Sequence, residues 1–172
     1  MFPFPFTVVA LVAWLVTLLS HGSYRDTLPL SYRVQNICLS FFLVFFSSIG
    51  IFSFWWRVFH PEQLPAFFMR ESLFPPVIGL VVVVLSVCAA HVEMLIGFWM
   101  AQQKRRARTL TRAVMPYLLV IEILSCIRTS AWFRPEVVRL GLQSFVPVEV
   151  VLFVWIYLFC GSKQAEELMT HN

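Results

Sequence analysis

Charge is scarce in this sequence. Asp, Glu, Lys and Arg supply 13% of its 172 residues, where a water-soluble domain carries about 25%. That shortage excludes a soluble enzyme and a disordered tail, since both need a well-hydrated surface. Paired cysteines are also missing. Cys38, Cys88, Cys126 and Cys160 stand far apart in apolar runs, so there is no C-x-x-C redox or zinc motif and each reads as a small packing residue. There is no N-x-S/T sequon and no lipidation signature. The H-E-x-x-H, G-x-S-x-G, P-loop and dinucleotide fingerprints are absent. A b-type haem held within one chain needs two facing histidines, and only His91 lies deep in an apolar run. No cofactor and no metal site is implied.

What the chain has is apolar mass. Hydrophobic residues make up 59% and aromatics 16%, and the mean hydropathy is +0.79. A spanning helix needs about 20 mostly apolar residues. The runs at 4–20, 35–56, 76–101, 113–133 and 141–161 meet that need. They predict a single all-α domain over 1–172, a polytopic transmembrane helix bundle with five spans. The first run has the length of a signal-peptide core and a candidate Ser20-His21-Gly22 cleavage site, but no basic flank. Four spans remain if that run is cleaved or lies at the interface.

Loop charge sets the orientation. Lys104, Arg105, Arg106, Arg108 and Arg112 crowd the expected third loop, and Lys and Arg collect on the cytoplasmic side. Parity then puts the N-terminus outside and the C-terminus inside. The same patch lies where anionic lipid headgroups would meet it, and that reading is nearer than nucleic acid. Trp55, Trp56, Trp99 and Trp132 close runs, where amphipathic rings favour the headgroup level. His60-Pro61-Glu62 and Arg134-Pro135-Glu136 each resemble a helix start, as proline suits the first helical position. Short surface helices are therefore expected in both outer loops.

Small and polar residues mark the packing faces, because lipid supplies no hydrophobic drive between helices. Gly79, Ser86, Ala90, Glu93 and Gly97 form one stripe on the third helix, and Glu122, Ser125, Cys126 and Thr129 another on the fourth. These two faces are expected to meet. Ser40, Ser47 and Gly50 mark the second helix, whose phenylalanines turn toward lipid.

Ionisable groups inside a bilayer are costly and mark function or structural pairing. Glu93, Glu122 and Glu149 lie one in each of the last three runs. Their depths from the inner end are about 12, 13 and 18 Å at the helical rise. Glu93 and Glu122 are expected to approach each other and to share a proton or hold a cation. Arg128 and Glu149 are close enough in depth to pair near the outer surface, and Arg128 can instead snorkel outward to the headgroups. His91 lies about 200° around the helix from Glu93 and points elsewhere, as a packing histidine. Each glutamate can instead be protonated and glue helices together by hydrogen bonds.

Three functions are compatible with this pattern. Small size, short loops and absent motifs fit an accessory, assembly or scaffolding subunit of a larger membrane complex. Its partners would be membrane lipids and a membrane protein or a second copy. The carboxyl cluster fits a proton- or cation-coupled transporter or channel. Glu93, Glu122 and His91 as acid–base groups would fit an intramembrane enzyme acting on lipid.

Overall fold

A computed structural model describes residues 4–21, 29–60, 76–130 and 135–170. Side chains are described for these except Phe4, His21, Arg57, Pro76, 126–130, 135–146 and Glu149. The described residues are helical, with no β-strand among them. The elements are α1 (Phe4–His21), α2 (Leu30–Phe59), α3 (Pro76–Ala101), α4 (Arg105–Ser130), α5 (Pro135–Gly161) and α6 (Lys163–Leu168). Two segments are long and apolar enough to cross a bilayer, Leu30–Trp56 and Val77–Ala101. Shorter apolar stretches, Pro5–Ser20 and Val150–Gly161, lie in α1 and α5.

The centre of the fold is the antiparallel pair α2–α3. Buried residues on α2 recur at Asn36, Leu39, Ser40, Leu43, Val44, Ser47, Ser48 and Ile51, the three- and four-residue spacing of one helix face. On α3 the matching face holds Val82, Val83, Ala89, Ala90, Glu93, Ile96, Met100 and Ala101. The register can be read rung by rung. Asn36 Nδ2 donates to Met100 O at 3.0 Å, and Ser47 Oγ donates to Glu93 Oε2 at 3.2 Å. Between these rungs a Cβ built on Gly97 would lie 2.8 Å from Val44 Cγ2 and 3.1 Å from Ser40 O. Beyond them Gly50 faces Ala90. Ala90 and Gly97, expected on a face shared with the next helix, thus pack on α2. The reason is that α2 offers its own small residues, Ser40, Ser47 and Gly50, along the same seam, and small against small lets two backbones approach most closely.

The α2 phenylalanines lie off this seam. Phe42 and Phe46 are exposed, and the Phe41–Phe45 and Phe42–Phe46 ring pairs stack at centroid distances of 5.8 and 6.1 Å. Helix α1 leans on α2 through Thr7, Ala10 and Trp14, and Trp14 Nε1 donates to Ser40 Oγ at 3.1 Å. Cys38 and Cys88 are exposed, not the packing residues their apolar runs suggested, while Cys160 is buried.

Three helix boundaries differ from expectation. His60 belongs to the end of α2. Its Nδ1–H donates to Trp56 O at 2.8 Å, and its ring stacks on Trp56 at 3.8 Å. The rest of that expected surface helix falls in 61–75, outside the described residues. Pro135 does start a helix, but this is α5 itself, running unbroken to Gly161. The basic cluster expected in a loop lies almost wholly in the first two turns of α4.

A tight turn explains the last shift. Gln103 takes φ 56°, its N–H reaches Met100 O at 3.0 Å, and Lys104 N–H reaches Trp99 O at 2.9 Å. This pair of bonds is a Schellman ending, with glutamine where glycine is usual. It satisfies the last carbonyls of α3 and lets α4 begin at Arg105.

At this end of the bundle the packing is dense. Met100, Ala107, Thr111, Cys160, Ala165, Leu168 and Met169 are all nearly inaccessible. Ser162 caps α6 by accepting from Ala165 N–H at 3.2 Å, which turns the chain under the bundle after α5.

Candidate functional site

The seam between α2 and α3 borders a space midway along both helices. There α4 and α5 complete a cavity of about 340 Å³. Its polar lining is Ser47, Ser53, Ser86, Glu93, Glu122 and Ser125, and Phe42, Phe46, Phe54 and Phe153 are among its apolar walls. Glu93 and Glu122, read from the sequence at matching depth on different helices, line this one space. Glu93 is the more enclosed, at 6% exposure, and takes the Ser47 hydroxyl hydrogen bond across the seam. Glu122 is half-buried on α4.

The lining can do limited chemistry. Two carboxyls facing one low-dielectric space repel when both are ionised, and a proton or cation held between them relieves that repulsion. The hydroxyls of Ser47, Ser53, Ser86 and Ser125 add oxygen ligands or hydrogen-bond donors. Ser86 already donates to Val82 O at 2.8 Å, which leaves its oxygen lone pairs for the cavity. An all-oxygen set of this kind suits a proton or a hard cation and does not suit a soft transition metal.

His91 does not join this group. It is exposed on the outer face of α3 beside Val84 and Leu95, and its Nδ1–H donates to Val87 O at 2.7 Å. It is therefore neither a packing residue nor the third member of a set with Glu93 and Glu122. Helical rotation explains this, since two residues along a helix is about half a turn around it. The Arg128 and Glu149 side chains, and hence their expected pairing, lie outside the described residues.

The basic group divides in two. Arg105, Arg106 and Arg112 are exposed and Lys104 is half-buried. Arg108 turns inward, where its Nε donates to Cys160 O at 3.0 Å and its Nη2 pairs with Glu166 Oε2 at 3.1 Å. That guanidinium holds the Glu166 carboxyl below its ordinary value, with Arg105 and Arg112 adding smaller pulls.

Sequence reasoning missed Ser53 in the cavity and the Arg108–Glu166 pair. Ser53 sits three residues beyond Gly50, so extending the small-residue face of α2 by one turn would have found it. Nothing in the sequence signalled that the chain after 161 folds back under α4.

No protein-family model, curated protein or solved structure matches this chain. The functional reading therefore rests on the geometry alone.

Proposed function

We propose that this chain is a five-span membrane protein, N-terminus outside and C-terminus inside, that binds protons or small cations between Glu93 and Glu122. The observation that carries the reading is the one cavity lined by both glutamates. In it, binding a proton or cation relieves the repulsion of two buried carboxylates, and release restores it. Five apolar runs that coincide with five helices support the five-span reading. The orientation follows from the basic start of α4.

The test is substrate-independent proton or alkali-cation flux in liposomes. Glu93→Gln and Glu122→Gln keep shape and hydrogen bonding without charge. Each should leave the folded protein intact and abolish flux. Flux unchanged in both variants would sink the reading and leave the two residues as structural glue. A reporter fused after Asn172 that reads as external would overturn the orientation.

A second reading is favoured by His91. A polar ring midway along an outward helix face is matched better by a protein partner than by lipid. The chain would then serve as an accessory or assembly subunit, contacting its partner along the Val84–His91–Leu95 face of α3. Purification in mild detergent separates the two readings. A stoichiometric partner lost on His91→Leu supports the subunit role, and flux by the isolated chain supports the first.

A further inference from the structure

The start of α4 carries an uncompensated positive charge that the cation reading does not use. Its first turn contains no acidic residue, although helix N-termini favour negative charge because their N–H groups point outward unpaired. Arg105, Arg108 and Arg112 lie within about 60° of one another around the helix axis. One carboxylate answers them, Glu166, and Arg108 takes it. Arg105 and Arg112 add only weaker attraction to the same exposed carboxylate. Among the described residues neither Arg105 nor Arg112 has an ion pair of its own.

The surface beyond them is apolar. Pro116 and Val120 follow Arg112 on the same exposed face of α4, one and two turns farther along. A basic stripe at the end of an apolar strip has the amphiphilic form of a lipid: phosphate at one end, acyl chain along the other.

We infer that Arg105 and Arg112 bind the phosphate of an anionic phospholipid, whose acyl chain lies along the exposed face of α4. Guanidinium groups suit this ligand because their planar forks match phosphate oxygens. Arg108, already committed to Glu166 and to Cys160 O, holds the inner wall and is not a lipid ligand. Glu166 and the exposed Glu167 oppose the phosphate, so their charge sets how tightly the headgroup is held. This inference shares with the cation reading only the membrane location. Flux-dead Glu93→Gln protein should bind the lipid as well as wild type does, which keeps the two failures distinguishable.

The experiment titrates the full chain in neutral detergent with short-chain phosphatidylglycerol, short-chain phosphatidylcholine or inorganic phosphate, reading thermal stability. Phosphatidylglycerol should raise Tm, and the other two should not. The Arg105→Gln/Arg112→Gln variant should need about 25-fold more lipid for the same shift, at about 1 kcal/mol per arginine. Arg106→Gln, on another face, should behave as wild type. Glu166→Gln should need less lipid. The inference is overturned by a wild-type response that does not distinguish phosphatidylglycerol from phosphatidylcholine. Inorganic phosphate acting alone overturns it too, because the ligand would then be a free anion. An undiminished response in the double variant would overturn the assignment of the two arginines.

Discussion

At Gly97 a single added methyl group would meet Val44 Cγ2 at 2.8 Å and Leu43 Cβ at 3.1 Å. Val44 is fixed at χ1 in a helix and cannot swing away. Gly97→Ala should therefore lower stability in detergent by about 1–3 kcal/mol, the usual cost of overpacking. Gly50→Ala should cost much less, because its new methyl would meet Ala90 Cβ at an ordinary 3.7 Å. Equal losses from the two would show that this seam is not where α2 and α3 approach most closely. Glu166 gives a prediction in pH. Its carboxyl is held below 4.5 by the Arg108 hydrogen bond and charge. A depressed folded pKa contributes stability above the unfolded value, which is lost as pH falls through the folded one. Protection of the α6 amides, taken relative to their intrinsic exchange rates, should thus fall only below the ordinary carboxylate range, and Glu166→Gln should remove that pH dependence. Residue identity made the two glutamates legible in advance, because a charge in an apolar run is conspicuous. It did not make Arg108 legible, since several basic residues close together look alike until one finds a carbonyl on another helix.

Among the elements, the α3–α4 turn rests on one unusual backbone angle. Gln103 at φ 56° occupies a region where β-branched residues are strongly disfavoured. Gln103→Val should lower Tm, by an amount equivalent to about 1–2 kcal/mol. Gln103→Asn should be tolerated, because asparagine visits this region readily. If valine is accepted without loss, the turn is not what fixes where α4 begins. The stripe on α3 gives a companion test. Ala90→Leu would push side-chain volume toward Gly50 and should destabilise, whereas Val84→Leu on the exposed face should not. Packing faces can be read from the sequence because period and residue size are local properties. Partner choice cannot, because it depends on which neighbour offers a matching seam. The α3 stripe is visible in the sequence, yet Ala90 and Gly97 meet α2 and not the expected α4. Helix starts mislead for a related reason: Pro135 and Lys104 each announce a boundary, but not the length of the helix beyond it.

For the whole molecule, the sealed layer and the cavity lie at different levels of the bundle. One end is closed by a layer in which Met100, Ala107, Thr111, Cys160 and Ala165 are fully inaccessible. The cavity of Glu93 and Glu122 lies midway along α2 and α3. Removing the chain from Ser162 onward should expose this sealed layer and lower stability, through the loss of Ala165, Leu168 and Met169 from the core. Thermal melting of that truncation checks it, and an unchanged Tm would mean that α6 is an ornament on a bundle already closed. The number of apolar runs was legible at this scale, while the asymmetry was not, since no stretch of sequence says which layer will be sealed. That asymmetry has an electrical consequence. Moving one elementary charge through the whole membrane potential is worth about 2.3 kcal/mol per 100 mV. On the proposed topology, a cation reaching the Glu93–Glu122 cavity from outside crosses a little over half of that field, and the sealed layer carries the rest. Occupancy should then respond to voltage more weakly than a full charge transfer would, with the remaining dependence in passage through the sealed layer.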